Sequence, residues 1–166
     1  MAKERHDKEK ASVLSQELVE EFLVHYYTKE KLGENNDRIK PYLTDSAYRE
    51  DLARQEEPLN QVYKDYILDY RFSDAHIYLD SKQQEALVEV SYTVTYVADL
   101  EKKEQVMTNQ VEKRLLRLGY SKVGDKLLVN HLQTYSTDLS EALTQAQKTT
   151  PEPEAIPELP VSTTTP

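Results

Sequence analysis

The sequence predicts an α+β domain: three N-terminal helices packed on one face of a curved, four-stranded antiparallel sheet. Two observations carry the prediction. The apolar residues recur at three- and four-residue steps up to Pro58 and at two-residue steps after it. The two-residue segments also follow one another through short polar turns, which favours a meander over crossover connections.

Each element has its own signal. Leu14, Leu18, Phe22, His25 and Tyr26 form a helical stripe, with Glu17, Glu20 and Glu21 off its centre. This predicts a helix over 12–29 with Ser12 as N-cap, ended by Gly33 and Asn35–Asn36. A second, short helix over 37–43 holds Ile39, Tyr42 and Leu43, limited by Pro41. The third helix, 45–56, is capped by Thr44 or Asp45, uses Tyr48 and Leu52 as its apolar side, and is closed by Pro58. Strands follow over 70–79, 86–98, 105–118 and 127–135. The second is the cleanest: Val88, Val90, Tyr92, Val94, Tyr96 and Ala98 alternate with a mostly polar set, so Val90, Tyr92 and Val94 should face the helices. In the third strand the alternation through Met107, Val111 and Leu115 blurs at Leu115–Leu116, which predicts a bulge or bend there.

Charge and proline divide the chain. Residues 1–11 read as a charged N-terminal stalk, 12–139 as the folded domain, and 140–166 as a tail. Five of the seven prolines lie in the tail (Pro151, Pro153, Pro157, Pro160 and Pro166), beside the threonines at 163–165. Such a composition offers too little apolar surface to offset ordering entropy, so the tail is expected to be disordered and partly polyproline-like.

Composition excludes several function classes. The chain has 166 residues and a net charge of −9, which argues against a nucleic-acid surface built on phosphate neutralisation. It has no cysteine, so thiol nucleophiles, disulfides and cysteine metal sites are excluded. No apolar run is long enough for a membrane span, and the N-terminus lacks the apolar region of a signal peptide. With only Gly33, Gly119 and Gly124, no phosphate-cradling glycine loop can form, and His6, His25, His76 and His131 lack metal-ligand spacing. No cofactor and no metal are expected.

The order of elements resembles the nuclear transport factor 2-like fold, a cone of long bent strands behind N-terminal helices. The segment RIKPYLTDSAYREDL at 38–52, a short helix, a Pro-Tyr-Leu-Thr corner and a capped helix, is similar to domains of Gram-positive conjugation proteins of the TcpC and PrgL kind. That resemblance covers residues 12–136. It implies a non-catalytic scaffold subunit of a conjugative type IV secretion channel, anchored in the membrane with this domain on the outer face. Its partners would be other channel proteins, with a homo-oligomer as a further option. This chain carries no span, so the resemblance implies a soluble fragment of such a protein.

Some proteins of the same fold are isomerases, dehydratases or epoxide hydrolases, which need a desolvated carboxylate or histidine inside the cone. A small-molecule enzyme or a ligand-binding dimer is therefore the alternative. Its candidate residues are Asp69, Asp74, His76 and His131. Asp74 and His76 share a strand face and form either an acid–base pair or an exposed surface pair. His131, in phase with Leu127, Val129 and Tyr135, reads as a partly buried packing residue, as does His25 in the first helix. The expectation is no catalytic residue. Tyrosine is the unusual feature, with twelve against two Phe and no Trp. Either tyrosine replaces phenylalanine in a small wet core, or Tyr63, Tyr66 and Tyr70, spaced three and four apart, form a protein–protein contact.

Overall fold

The computed structural model describes residues 12–98 and 106–135. The expected stalk at 1–11 and tail at 140–166 lie outside the described residues. Within them the chain is α+β: helices α1 (Gln16–Tyr26), α2 (Asn36–Ile39), α3 (Asp45–Gln55) and α4 (Pro58–Tyr63), then strands β1 (Ile67–Asp80), β2 (Glu85–Val97), β3 (Val106–Val123) and β4 (Lys126–Tyr135). The strands form one sheet in sequence order, and every neighbouring pair is antiparallel.

The helices differ from expectation at their ends. α1 starts four residues later than predicted because Ser15, not Ser12, is its N-cap: the Ser15 hydroxyl accepts the Leu18 amide at 3.1 Å. Its core side is turned accordingly, and Val19, Phe22 and Leu23 are the residues sealed from solvent. His25 lies at the flank and stacks on Tyr42 with ring centres 5.4 Å apart. The far end of α1 is closed by a side chain. The buried Asn35 donates to the carbonyls of His25 and Tyr26 at 2.8 and 3.0 Å, so two orphan acceptors of the last turn are satisfied.

The predicted 37–43 helix is split. α2 ends at Ile39, and Lys40–Tyr42 tightens into a 3-10 turn with Pro41 at its start. Thr44 caps α3 by accepting the Ala47 amide at 3.2 Å. The buried residues of α3 are Ala47 and Asp51; Tyr48 and Leu52 stand beside them, half-buried. Pro58 does not end the helical region. It opens α4, where a proline lacking an amide hydrogen suits the first turn.

The core lies between the helices and one sheet face. Val88, Val90, Tyr92 and Val94 of β2 join Leu116 and Leu118 of β3, Val129 of β4, and Val19, Phe22, Leu23, Ile39 and Leu43 in one buried cluster. Two contacts fasten the helical layer to the sheet edges. Lys29 and Tyr70 exchange backbone hydrogen bonds of 3.0 and 2.8 Å, and the Thr44 amide donates to the Val129 carbonyl at 2.9 Å.

Bulges bend the sheet, at places the alternation did not predict. β1 carries one between Leu68 and Arg71, where Asp69 has φ +52°, and another between Phe72 and Asp74. β3 carries one between Met107 and Gln110, around Asn109 at φ +52°, and β4 one between Val129 and His131. The ladder runs unbroken through Leu115–Leu116. Both leucines are buried because Leu116 joins the helix-side core while Leu115 packs on the other face against Tyr135 and Leu87. The β4 bulge also changes the fate of His131. The extra residue Asn130 reverses the phase, so Leu132 turns inward and His131 is exposed rather than packed. Gly119 permits this crowding, since a Cβ there would sit 2.7 Å from Asn130 Oδ1. The β3–β4 hairpin then closes on two residues, with Gly124 at φ +62°.

Candidate functional site

Most of the tyrosine is interior. Tyr27 stacks on Tyr92 with ring centres 4.7 Å apart, and Tyr70 stacks on the same Tyr92 at 6.1 Å. Lys29 Nζ lies 4.7 Å above Tyr70 and 5.6 Å from Tyr26, and the Arg114 guanidinium lies 5.8 Å over Tyr92. A cation over an aromatic face is held by the ring quadrupole, and Arg114 is held in addition by Glu112 at 3.2 Å. Burial pushes the hydroxyls of Tyr26 and Tyr27 well above their ordinary range and pulls the Lys29 ammonium down, the latter partly offset by Asp51 and Glu34.

Asp51, which sequence reasoning missed, is the buried carboxylate of the domain. Tyr26 donates to it at 2.6 Å, Arg54 at 3.0 Å and Gln55 at 3.2 Å. Gln55 in turn donates to Asn36 at 2.7 Å. The network joins α1, α2 and α3 through polar groups that satisfy one another, which is how a buried charge is retained. An Asp amid helix-surface residues gives no sequence signal of burial.

A polar cleft of about 540 Å³ opens beside this network, lined by Lys29, Glu34, Arg38, Asp69 and neighbours. Its main charges pair with each other: Arg38 reaches Glu34 at 2.6 Å and the Thr28 carbonyl at 2.9 Å. The Arg38 hydrogen bond first, and the Glu30 amide second, hold the Glu34 carboxyl down at about 2.

The structure separates the other sequence candidates. Asp74 and His76 stand on the open sheet face, both mostly exposed, with Oδ2 and Nε2 3.9 Å apart. Asp69 is exposed at the β1 bulge and His131 is exposed on β4. None of these four approaches another across a closed pocket, and among the described residues no cluster of three His, Asp or Glu has metal-binding proximity.

Tyr63, Tyr66 and Tyr70 do not stay together. A helix would have stacked them, but the chain turns to strand at Ile67 and bulges at Asp69, which sends Tyr70 into the interior stack. Tyr63 and Tyr66 remain outside and meet Tyr96, Val97, Ala98 and Met107 around a surface depression of about 470 Å³, lined almost wholly by apolar atoms. Tyr63 is 50% exposed and Met107 54% exposed. The Tyr96 hydroxyl donates to Glu112; burial first and that carboxylate second push it up to about 12. No other described residue engages the hydroxyl of Tyr63 or Tyr66. A shallow apolar depression suits contact with another chain, since it offers area and tyrosine hydroxyls and, among the described residues, no positioned acid or base.

Neither a scan of protein-family models nor a search of curated proteins finds a significant match to the chain.

Proposed function

We propose that this domain is a non-catalytic interaction module, the outer-face domain of a membrane-anchored scaffold subunit in a conjugative type IV secretion channel. The observation that carries the interaction reading is the apolar depression between α4 and the β2–β3 end of the sheet, with Tyr63 and Met107 half-exposed on its rim. Other exposed apolar side chains, such as Val24, Tyr78 and Val123, lie elsewhere, but a contiguous apolar depression is the kind of surface that marks a contact site. The buried Asp51 supports the same reading: its partners are all side chains of the helical layer, so it serves packing. The helix–corner–helix of residues 38–52, with Thr44 as cap, supports the likeness to conjugation scaffolds. The nuclear transport factor 2-like identity is part of the proposal; what supports it is the order of helices before a bulged antiparallel meander.

A scaffold acts through contacts that are individually weak and collectively strong, because copies held in one assembly raise the effective concentration. The test is deletion of the gene in a donor cell. DNA transfer should fall sharply while nicking at the origin of transfer, a cytosolic step, continues. Normal transfer from the deletion strain would reject the role.

A further inference from the structure

The depression and the proline-rich end of the chain have complementary chemistry. Its lining holds three tyrosines, Tyr63, Tyr66 and Tyr96, together with Val97 and Met107. An aromatic-lined apolar depression is the kind of surface that takes a polyproline II segment. Such a segment makes no internal hydrogen bonds, so its carbonyls are free to accept. Among the described residues no partner engages the hydroxyls of Tyr63 and Tyr66. The sequence Ile156-Pro157-Glu158-Leu159-Pro160-Val161 supplies two prolines at a spacing of three, the repeat of a polyproline II turn, with apolar residues on either side.

The reach also agrees. β4 ends at Tyr135, which pairs with Leu115, and Met107 at the depression lies eight residues further along β3. At the strand rise that is about 26 Å. Ile156 lies 21 residues beyond Tyr135. Twenty-one residues can extend to about 70 Å, well beyond that distance, so the segment can reach the depression. A tethered ligand that reaches its site has an effective concentration on the order of millimolar, which raises the occupancy of a weak contact.

We infer that the depression is a polyproline-binding groove whose resident ligand is residues 156–161 of the same chain. This stands independently of the secretion role: it names what the groove takes, and it makes the tail a competitor for any proline-rich partner segment. Because the chain has no cysteine, one can be introduced as a unique label site. The experiment uses the full-length, isotope-labelled chain with Thr164→Cys carrying a nitroxide. A several-fold loss of amide signal is expected at Tyr66, Ala98 and Met107, with Val123 and Leu132 unaffected. The loss should persist on dilution and disappear when Pro157→Ala and Pro160→Ala are combined, changes that leave the folded domain untouched. Tyr66→Ala should weaken it as well. Absent or evenly spread broadening would overturn the inference. So would equal broadening in a mixture of spin-labelled and isotope-labelled chains, which would place a second copy's tail in the groove.

Discussion

Single residues show how tyrosine serves this domain. Tyr26 turns its hydroxyl on Asp51, whereas the Tyr120 hydroxyl is sealed from solvent and has no hydrogen-bond partner among the described residues. An unpartnered buried hydroxyl carries a desolvation cost without return. Tyr120→Phe should therefore leave stability unchanged or raise it by about 1 kcal/mol, measured by urea unfolding. A clear loss would mean that the hydroxyl has a partner. The packed rings also predict an alkaline limb. Burial is the largest cause pushing Tyr70 up to about 12, and Tyr96 rises to about 12 as well, against an ordinary value of 10.0. A raised folded value favours the neutral form in the native state. The resulting stability is fully present below pH 10 and is lost as pH climbs from about 10 to about 12. Thermal unfolding followed across that window should show a falling midpoint; a flat profile would contradict the burial of these rings.

At the scale of elements, the corner between the helical layer and β4 is held at one point. Thr44 caps α3 through its side chain and ties to Val129 through its amide. Thr44→Ala removes only the cap, so it should cost about 0.5–2 kcal/mol. A denaturant midpoint unchanged from the parent would show that the cap is replaceable. Elements were legible in the sequence where the signal is periodic and local. β2 reads directly as a strand because one apolar face contacts helices and the other is largely polar, and Thr44 reads as a cap because its chemistry acts three residues away. What alternation cannot give is the place where the period breaks. The bulges at Asp69, Asn109 and Asn130 arise from pairing between strands, and one inserted residue exchanged the fates of His131 and Leu132. Local sequence starts α1 too early because Ser12 and Ser15 are equally good caps in isolation, and only packing of Val19 and Leu23 selects between them. The candidate site was half legible for the same reason. Tyr63 and Tyr66 were visible as clustered aromatics, but their neighbours Tyr96 and Met107 arrive from β2 and β3 through register, which no local spacing encodes.

For the whole molecule, the layered arrangement separates stability from contact. The core between helices and sheet is closed around Phe22, Leu23, Val90 and Leu116, while the depression lies at the far end of the strands, beyond the last helix. Residues on its rim therefore contribute little to the fold, and on the proposed reading their area serves a partner. Tyr63 and Met107 are each at least half exposed, and neither belongs to the buried core cluster. Replacing both with lysine should change stability by no more than about 0.5 kcal/mol per site, the usual range for surface positions. The same double substitution, Tyr63→Lys with Met107→Lys, places two charges where a partner chain would have to desolvate them, which costs several kcal/mol per ion when no opposite charge meets it. If the depression is the working contact of a secretion scaffold, donor cells carrying the double variant should lose most DNA transfer although the protein accumulates and melts like the parent. Full transfer by a folded double variant would move the contact to another face, with the exposed strand surface around Asp74 and His76 the next to substitute.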